Sequence, residues 1–147
     1  MKTSILNDFL IIENLTKKNL SELARPIGLT SGQIKCLILI QNLCKQEKEM
    51  CQKDLEANLH YSKSSLSDLL NALESSGCLI RKVKKGDSRY KILEITDKGR
   101  EIISLAEANK DEVEKKIIQG ISNEELTLFK KIINKMSNNL GGNYEEE

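Results

Sequence analysis

The 147-residue chain predicts a mainly α fold with a small β-wing, a winged helix-turn-helix flanked by N- and C-terminal dimerisation helices. Three observations carry that expectation. Leu66, Leu69, Leu70 and Leu73 repeat at helical spacing between Ser62, a cap residue, and Gly77, a helix-ending one. The run from Gly77 to Gly99, GCLIRKVKKGDSRYKILEITDKG, then holds two β-rich stretches around a basic turn. Long amphipathic segments lie on both sides, with more apolar surface than the central unit can cover. A single domain is expected over 1–147: the winged unit at about 31–96, helical arms at about 5–24 and 97–140, and a flexible acidic tail at 141–147.

Each element has its own signal. Ile5, Phe9, Ile12, Leu15, Leu20 and Leu23 keep a helical period from about Ile5 to Ala24. Pro26, the only proline, closes that helix, and Gly28 turns the chain. Ser31 is the expected N-cap of the next helix, which buries Ile34, Leu37, Ile38 and either Leu43 or Cys44. A short helix from Gln52 to Asn58 points Leu55 and Leu59 inward. After a turn at His60-Tyr61, Ser62 caps a helix to about Ser75, and Gly77 ends it in the left-handed conformation. Two such helices across a tight turn form a helix-turn-helix.

Strands are expected at Leu79–Val83 and Tyr90–Ile95, with Lys84 to Ser88 as the turn. Thr96 caps a helix running to about Gln119, and Ser122-Asn123-Glu124-Glu125 fits a capping box for a last helix to about Leu140. The uncovered stripes on the outer helices mark a partner surface. Twofold self-association is the simplest cover, because one stripe then serves both partners. The expected dimerisation residues are Ile5, Phe9 and Ile12 near the start, with Ile117, Leu126, Phe129, Ile133 and Met136 near the end.

Net charge is +1, but its distribution is uneven. Residues 51–100 hold ten Lys or Arg against seven Asp or Glu. Within 81–91, Arg81, Lys82, Lys84, Lys85, Arg89 and Lys91 stand against Asp87 alone. A local patch of that kind steers a polyanion whatever the global charge. No apolar run reaches the roughly 18 residues of a membrane span, and the first residues are too polar for a signal peptide, so a cytoplasmic location is expected. Cys36, Cys44, Cys51 and Cys78 form no CxxC, and His60 is the only histidine, so neither a metal nor a cofactor is expected. Reduced thiols are the favoured state, with Cys36 and Cys44 as small core residues. Nothing pairs a nucleophile with a base, and there is no glycine-rich phosphate loop, so the chain does not read as an enzyme.

A helix-turn-helix sets the start of its second helix in the major groove, making Ser62, Lys63, Ser64, Ser65 and Ser67 the groove-facing candidates. Their hydroxyls and ammonium can meet base edges or phosphates. Gln52 and Lys53 stand at the mouth of the preceding helix, where backbone contacts are made. In the wing the candidates are Arg81, Lys84, Lys85, Asp87 and Arg89. Arg89 suits the enhanced negative potential of a narrow minor groove. Asp87 either fixes an arginine, Arg89 or Arg81, by an ion pair or simply forms the turn. Asp68 is awkward near phosphate and is read as a partner for Lys63 or a wing lysine.

The ordered set resembles the MarR (multiple antibiotic resistance regulator) family of winged helix-turn-helix transcription factors over about residues 5–140. Four pieces carry the likeness. They are Gly28-Leu29-Thr30-x-x-Gln33; Asp54-Leu55 with Leu59 and Ser62 to Ser67, ending in Leu73-Glu74-x-x-Gly77; Gly77-x-Leu79-x-Arg81, five residues, then Asp87-x-Arg89; and Ile95-Thr96-x-x-Gly99. The resemblance implies a cytoplasmic homodimer on a pseudo-palindromic double-stranded operator, usually a repressor, released by a small-molecule effector or an oxidant. It also implies that Arg89 probes the minor groove and that Asp87 positions it. Cys51 departs from the Ser or Thr cap of many relatives, and the residues do not reveal an effector site. Two other readings stand beside this one: a thiol-based redox-responsive regulator, and a winged-helix protein-interaction module that binds no DNA.

Overall fold

The structure, a computed structural model, describes residues 4–46, 49–58 and 61–142. It divides into two compact units, residues 1–111 and 112–147. The expected inward Leu59, the turn at His60 and the acidic residues 143–147 lie outside the described residues. In the first unit, helix α1 runs Ile5–Ala24 and passes through a 3-10 turn, Arg25–Ile27, that contains Pro26. Helices α2 (Ser31–Gln46), α3 (Gln52–Asn58) and α4 (Lys63–Ser75) follow. Strands β1 (Leu79–Lys84) and β2 (Asp87–Ile95) form an antiparallel hairpin, and helix α5 begins at Asp97 and ends at Ile118. The second unit contains helix α6, Asn123–Asn139.

The cap of α2 corrects the expectation at Ser31, which is already the first helical residue. Thr30 caps instead. Its Oγ1 accepts from the Gln33 N–H at 3.2 Å, and the Gln33 Oε1 accepts from the Thr30 N–H at 3.0 Å. This reciprocal capping box satisfies two backbone donors, which a serine one residue later could not do. The analogous box at Ser122 and Glu125 is present as expected and opens α6.

One aliphatic core holds the winged unit. Ile34, Leu37 and Ile40 of α2 meet Leu55 of α3, Leu66, Leu70 and Leu73 of α4, Leu79 and Leu93 of the hairpin, and Ile102 and Ile103 of α5. Cys36 and Cys78 are fully buried among them, and Cys44 packs partly buried against the cluster. Burial pushes the thiols of Cys36 and Cys44 above the usual cysteine range, so both are small apolar fillers at neutral pH.

The hairpin is longer, and its turn tighter, than expected. Leu79 faces Ile95 and the register holds to Val83 opposite Lys91; a bulge then brings Lys84 opposite Asp87. Only Lys85 and Gly86 connect the strands, and Asp87 and Ser88 belong to β2. The bulge lets charged residues continue the ladder that composition alone assigns to a loop. A third backbone segment lies along β2: the Met50 carbonyl accepts from the Leu93 N–H at 2.8 Å, and Cys51 bridges to Ile92.

Helix α4 ends in a Schellman motif. The Cys78 N–H donates to the Leu73 carbonyl at 2.9 Å and the Gly77 N–H to the Glu74 carbonyl at 3.0 Å, with Gly77 at a φ of +76°. Thr96 opens α5 at the same corner. Its hydroxyl donates to the Gly77 carbonyl at 2.6 Å and accepts from the Gly99 N–H at 3.1 Å. Gly99 is packed so closely that a Cβ there would stand 2.3 Å from the Cys78 carbonyl oxygen and 2.7 Å from Ile95 Cγ2. Gly99→Ala is therefore expected to cost about 1–3 kcal/mol through overpacking. Urea unfolding followed by circular dichroism measures it, with a lowered midpoint at an unchanged slope.

Candidate nucleic-acid interface

The start of α4 is a cluster of exposed hydroxyls. Ser62 caps the helix: its Oγ accepts from the Ser65 N–H at 3.2 Å, donates to Ser65 Oγ at 2.8 Å and lies 3.3 Å from Ser64 Oγ. Lys63 is exposed at the first helical position, and Ser67 is half-buried one turn on. Ser62, Ser64 and Ser65 thus share hydrogen bonds and present a preformed polar end. Asp68 is exposed and forms no ion pair with any described residue, neither with Lys63 nor with a wing lysine.

Cys51 immediately precedes helix α3, and its backbone N–H donates to Asp54 Oδ2 at 2.9 Å. The thiol and the N–H of Cys51, together with the charge of Lys84, hold the Asp54 carboxyl below the usual carboxylate range. The cap departure read at Cys51 is thus offset by the acid three residues later. Gln52 donates to Glu56 at 3.4 Å, and the Lys53 ammonium lies 5.3 Å from the centre of the Tyr90 ring. That contact joins the mouth of α3 to β2.

In the wing, Asp87 pairs with Arg89. The Asp87 Oδ1 accepts from both the Arg89 backbone N–H and its Nε at 3.1 Å, and Oδ2 accepts from the terminal guanidinium nitrogen at 3.3 Å. The Arg89 side chain is nonetheless 86% exposed, oriented by the carboxylate and open to solvent. Arg81 is placed otherwise. Only 12% exposed, it turns onto α4, where its Nε lies 3.2 Å from Glu74 Oε2 and its guanidinium donates to Asn71. The Nε is angled away from a hydrogen bond although the charges are in contact.

Lys84 pairs with Glu49 at 3.0 Å and Lys82 with Glu94. Lys85 is exposed at the turn. Sequence reasoning missed these two carboxylates and Glu74, because they come from a loop, the facing strand and α4 rather than from the basic run. The alternating register could have pointed to Glu94, since Lys82 lies opposite Ile92 with Glu94 two residues on.

A cavity of about 400 Å³ lies between α1, α2 and α5 in the same unit. Leu20, Ile27, Ile34 and Ile38 line it together with Lys35 and Lys110. Asn109 ties α5 to α1 beside it by donating to the Leu23 carbonyl at 3.2 Å.

No protein-family model matches the chain. An uncharacterized HTH-type transcriptional regulator of Bacillus subtilis (strain 168), YdgJ, is 27% identical over 113 residues. The match covers 77% of this chain and 66% of YdgJ, so the chain spans just under two thirds of that relative's length. Among solved structures, a mutant of S. aureus MepR superposes with a TM-score of 0.82 at 23% identity, covering 94% of this chain and 99% of MepR. Wild-type MarR from E. coli gives 0.72 at 16% identity, over 92% and 98% of the two chains.

The chain has the winged helix-turn-helix fold of these MepR and MarR structures.

Two further structures share this fold. The S. aureus MepR–DNA complex has a TM-score of 0.72 at 24% identity, over 90% of this chain and 96% of that one. The heme sensor protein PefR from Streptococcus agalactiae, in complex with heme, has 0.69 at 27%, over 95% of each. Among the described residues, no single helix is long and apolar enough to cross a membrane.

The Asp87–Arg89 pair is directly testable. Hydrogen bonds from the Arg89 side chain and then its backbone hold the Asp87 carboxyl below the usual aspartate range. A depressed folded pKa contributes stability above the unfolded value and loses it as pH falls through the folded one. Carbon-detected NMR titration is therefore expected to show Asp87 titrating below ordinary aspartates, and to return it toward them in Arg89→Ala.

Proposed function

We propose that this chain is a dimeric, sequence-specific DNA-binding transcriptional regulator, a repressor released by a small ligand. The observation that carries the reading is the exposed Arg89 oriented by Asp87, together with the preformed polar start of α4. The first suits a minor groove and the second a major groove. In this arrangement Ser62, Lys63, Ser64, Ser65 and Ser67 face bases and phosphates. Gln52, Lys53, Lys84 and Lys85 serve the backbone, and Arg81 acts by fixing β1 against α4. The MepR–DNA complex and the regulator name of YdgJ support the coarser reading, a DNA-binding regulator.

Exposed apolar stripes support the dimer. Ile5, Phe9 and Ile12 are exposed on α1, where no residue is buried, and Ile117 and Phe129 are exposed in the second unit. Leu126, Ile133 and Met136 are half-buried on the same unit's helix α6. Two copies would set their α4 helices about one DNA turn apart, roughly 34–36 Å. The cavity lined by Lys35 and Lys110 is the proposed effector site. A ligand there acts only by binding one dimer geometry better than the other.

Selection of bound sequences from a random DNA pool tests the reading. A pseudo-palindrome is expected, with half-site centres about 10–10.5 base pairs apart. Affinity for it should fall steeply with salt as counterions are released, and Arg89→Ala should weaken it about tenfold or more. Failure to enrich any sequence, or binding indifferent to salt, would leave the protein-interaction reading in its place.

A further inference from the structure

The wing's charge in the folded chain differs from the charge read along it. Four of the six cations between residues 81 and 91 are matched by carboxylates: Arg81 by Glu74, Lys82 by Glu94, Lys84 by Glu49 and Arg89 by Asp87. Three of these pairs join residues of the hairpin and of α4. The fourth differs, because Glu49 comes from the segment between α2 and α3. That segment is fixed to the wing by its backbone: Met50 is buried and hydrogen-bonded to Leu93, and Cys51 bridges to Ile92.

The fold therefore delivers a carboxylate to the end of β1 from outside the hairpin. Both side chains of the pair remain about half exposed, so a phosphate can reach Lys84. The hydrogen bond and charge of Glu49 hold Lys84 above the usual lysine range, so the ammonium is present across the physiological range.

We propose that Glu49 is a built-in competitor for DNA phosphate at Lys84, a positioning residue that lowers the wing's affinity and its salt dependence. The inference rests on the DNA-binding reading above. A phosphate that takes Lys84 must displace the Glu49 carboxylate and then lie beside it. The abandoned carboxylate draws a cation from solution, which offsets part of the counterion release that drives binding. Exposed ion pairs are weak, so the expected control is graded and does not switch binding on or off.

The test uses the full chain and a fluorescent mixed-sequence DNA duplex, with anisotropy titrations between about 50 and 200 mM salt. Glu49→Gln is expected to bind about two- to fivefold more tightly at the low end. Its log–log salt slope should steepen by up to about 0.9, the increment for one phosphate contact. Repeating the substitution beside Lys84→Met closes a double-mutant cycle, in which the gain should shrink at least twofold. Equal gains with and without Lys84 would show that Glu49 acts only as a general negative charge and overturn the proposal, as would no gain at all. Those results leave the regulator reading intact provided the wild-type chain binds the duplex. A wild-type chain that binds no DNA overturns both.

Discussion

The corner where α4 ends and α5 begins determines where everything else in the winged unit stands. Leu73 to Cys78 close the Schellman motif, and the Thr96 hydroxyl spans from the Gly77 carbonyl to the Gly99 amide. The Thr96 N–H donates to the Cys78 carbonyl at 3.1 Å, and Lys98 donates to the Ser76 carbonyl at 2.6 Å. Both feet of the hairpin are thus tied to one point, the end of α4. Arg81 adds a side-chain tie from β1 to Asn71 and Glu74 on that helix. Hairpin and helix are in this way oriented as one piece, as the proposed reading of two grooves requires.

Electrostatics on that frame is a matter of pairing rather than of count. Asp87 reduces the net charge of the wing but gives Arg89 a defined direction, and an arginine held in place would lose less side-chain freedom in the proposed groove contact. Arg81 shows the opposite use, a guanidinium committed to internal structure. The same residue type at two positions of one hairpin therefore has two roles, decided by which carboxylates the fold brings near.

Much of this was legible in the sequence, and the reasons are local. The leucine stripe of α4, the Ser62 cap, the helix-ending Gly77 and the Ser122 box are signals written within one or two helical turns, and the structure shows each of them. The cap of α2 was misplaced by one residue because Thr30 and Ser31 are both competent, and only the reciprocal bond to Gln33 separates them. Strand ends were short because Asp87 and Ser88 carry turn chemistry, whereas the bulge keeps them in the ladder. Of the interface, the residue types were legible and most partners were not. The residues alone leave Asp87 between Arg89 and Arg81, and the family resemblance pairs it with Arg89, as the structure does. Glu49 and Glu74 meet the wing only through tertiary structure. The motif spacings Thr30-x-x-Gln33 and Thr96-x-x-Gly99 acquire physical meaning only with the structure, one as a capping box and the other as a contact with no room for a side chain.

The backbone of Met50 and Cys51 lying beside β2 has one more effect. A two-stranded hairpin has two outer edges, each able to recruit a strand from another molecule. Here one of them is occupied by the chain itself over Ile92 and Leu93. The remaining edge belongs to β1, which carries Lys82 and Lys84 and whose pairing with β2 shifts register between Val83 and Lys84. Charge and a broken ladder are devices that discourage strand addition. A protein whose helices expose so much apolar surface thereby keeps its small sheet from adding an open strand edge to it.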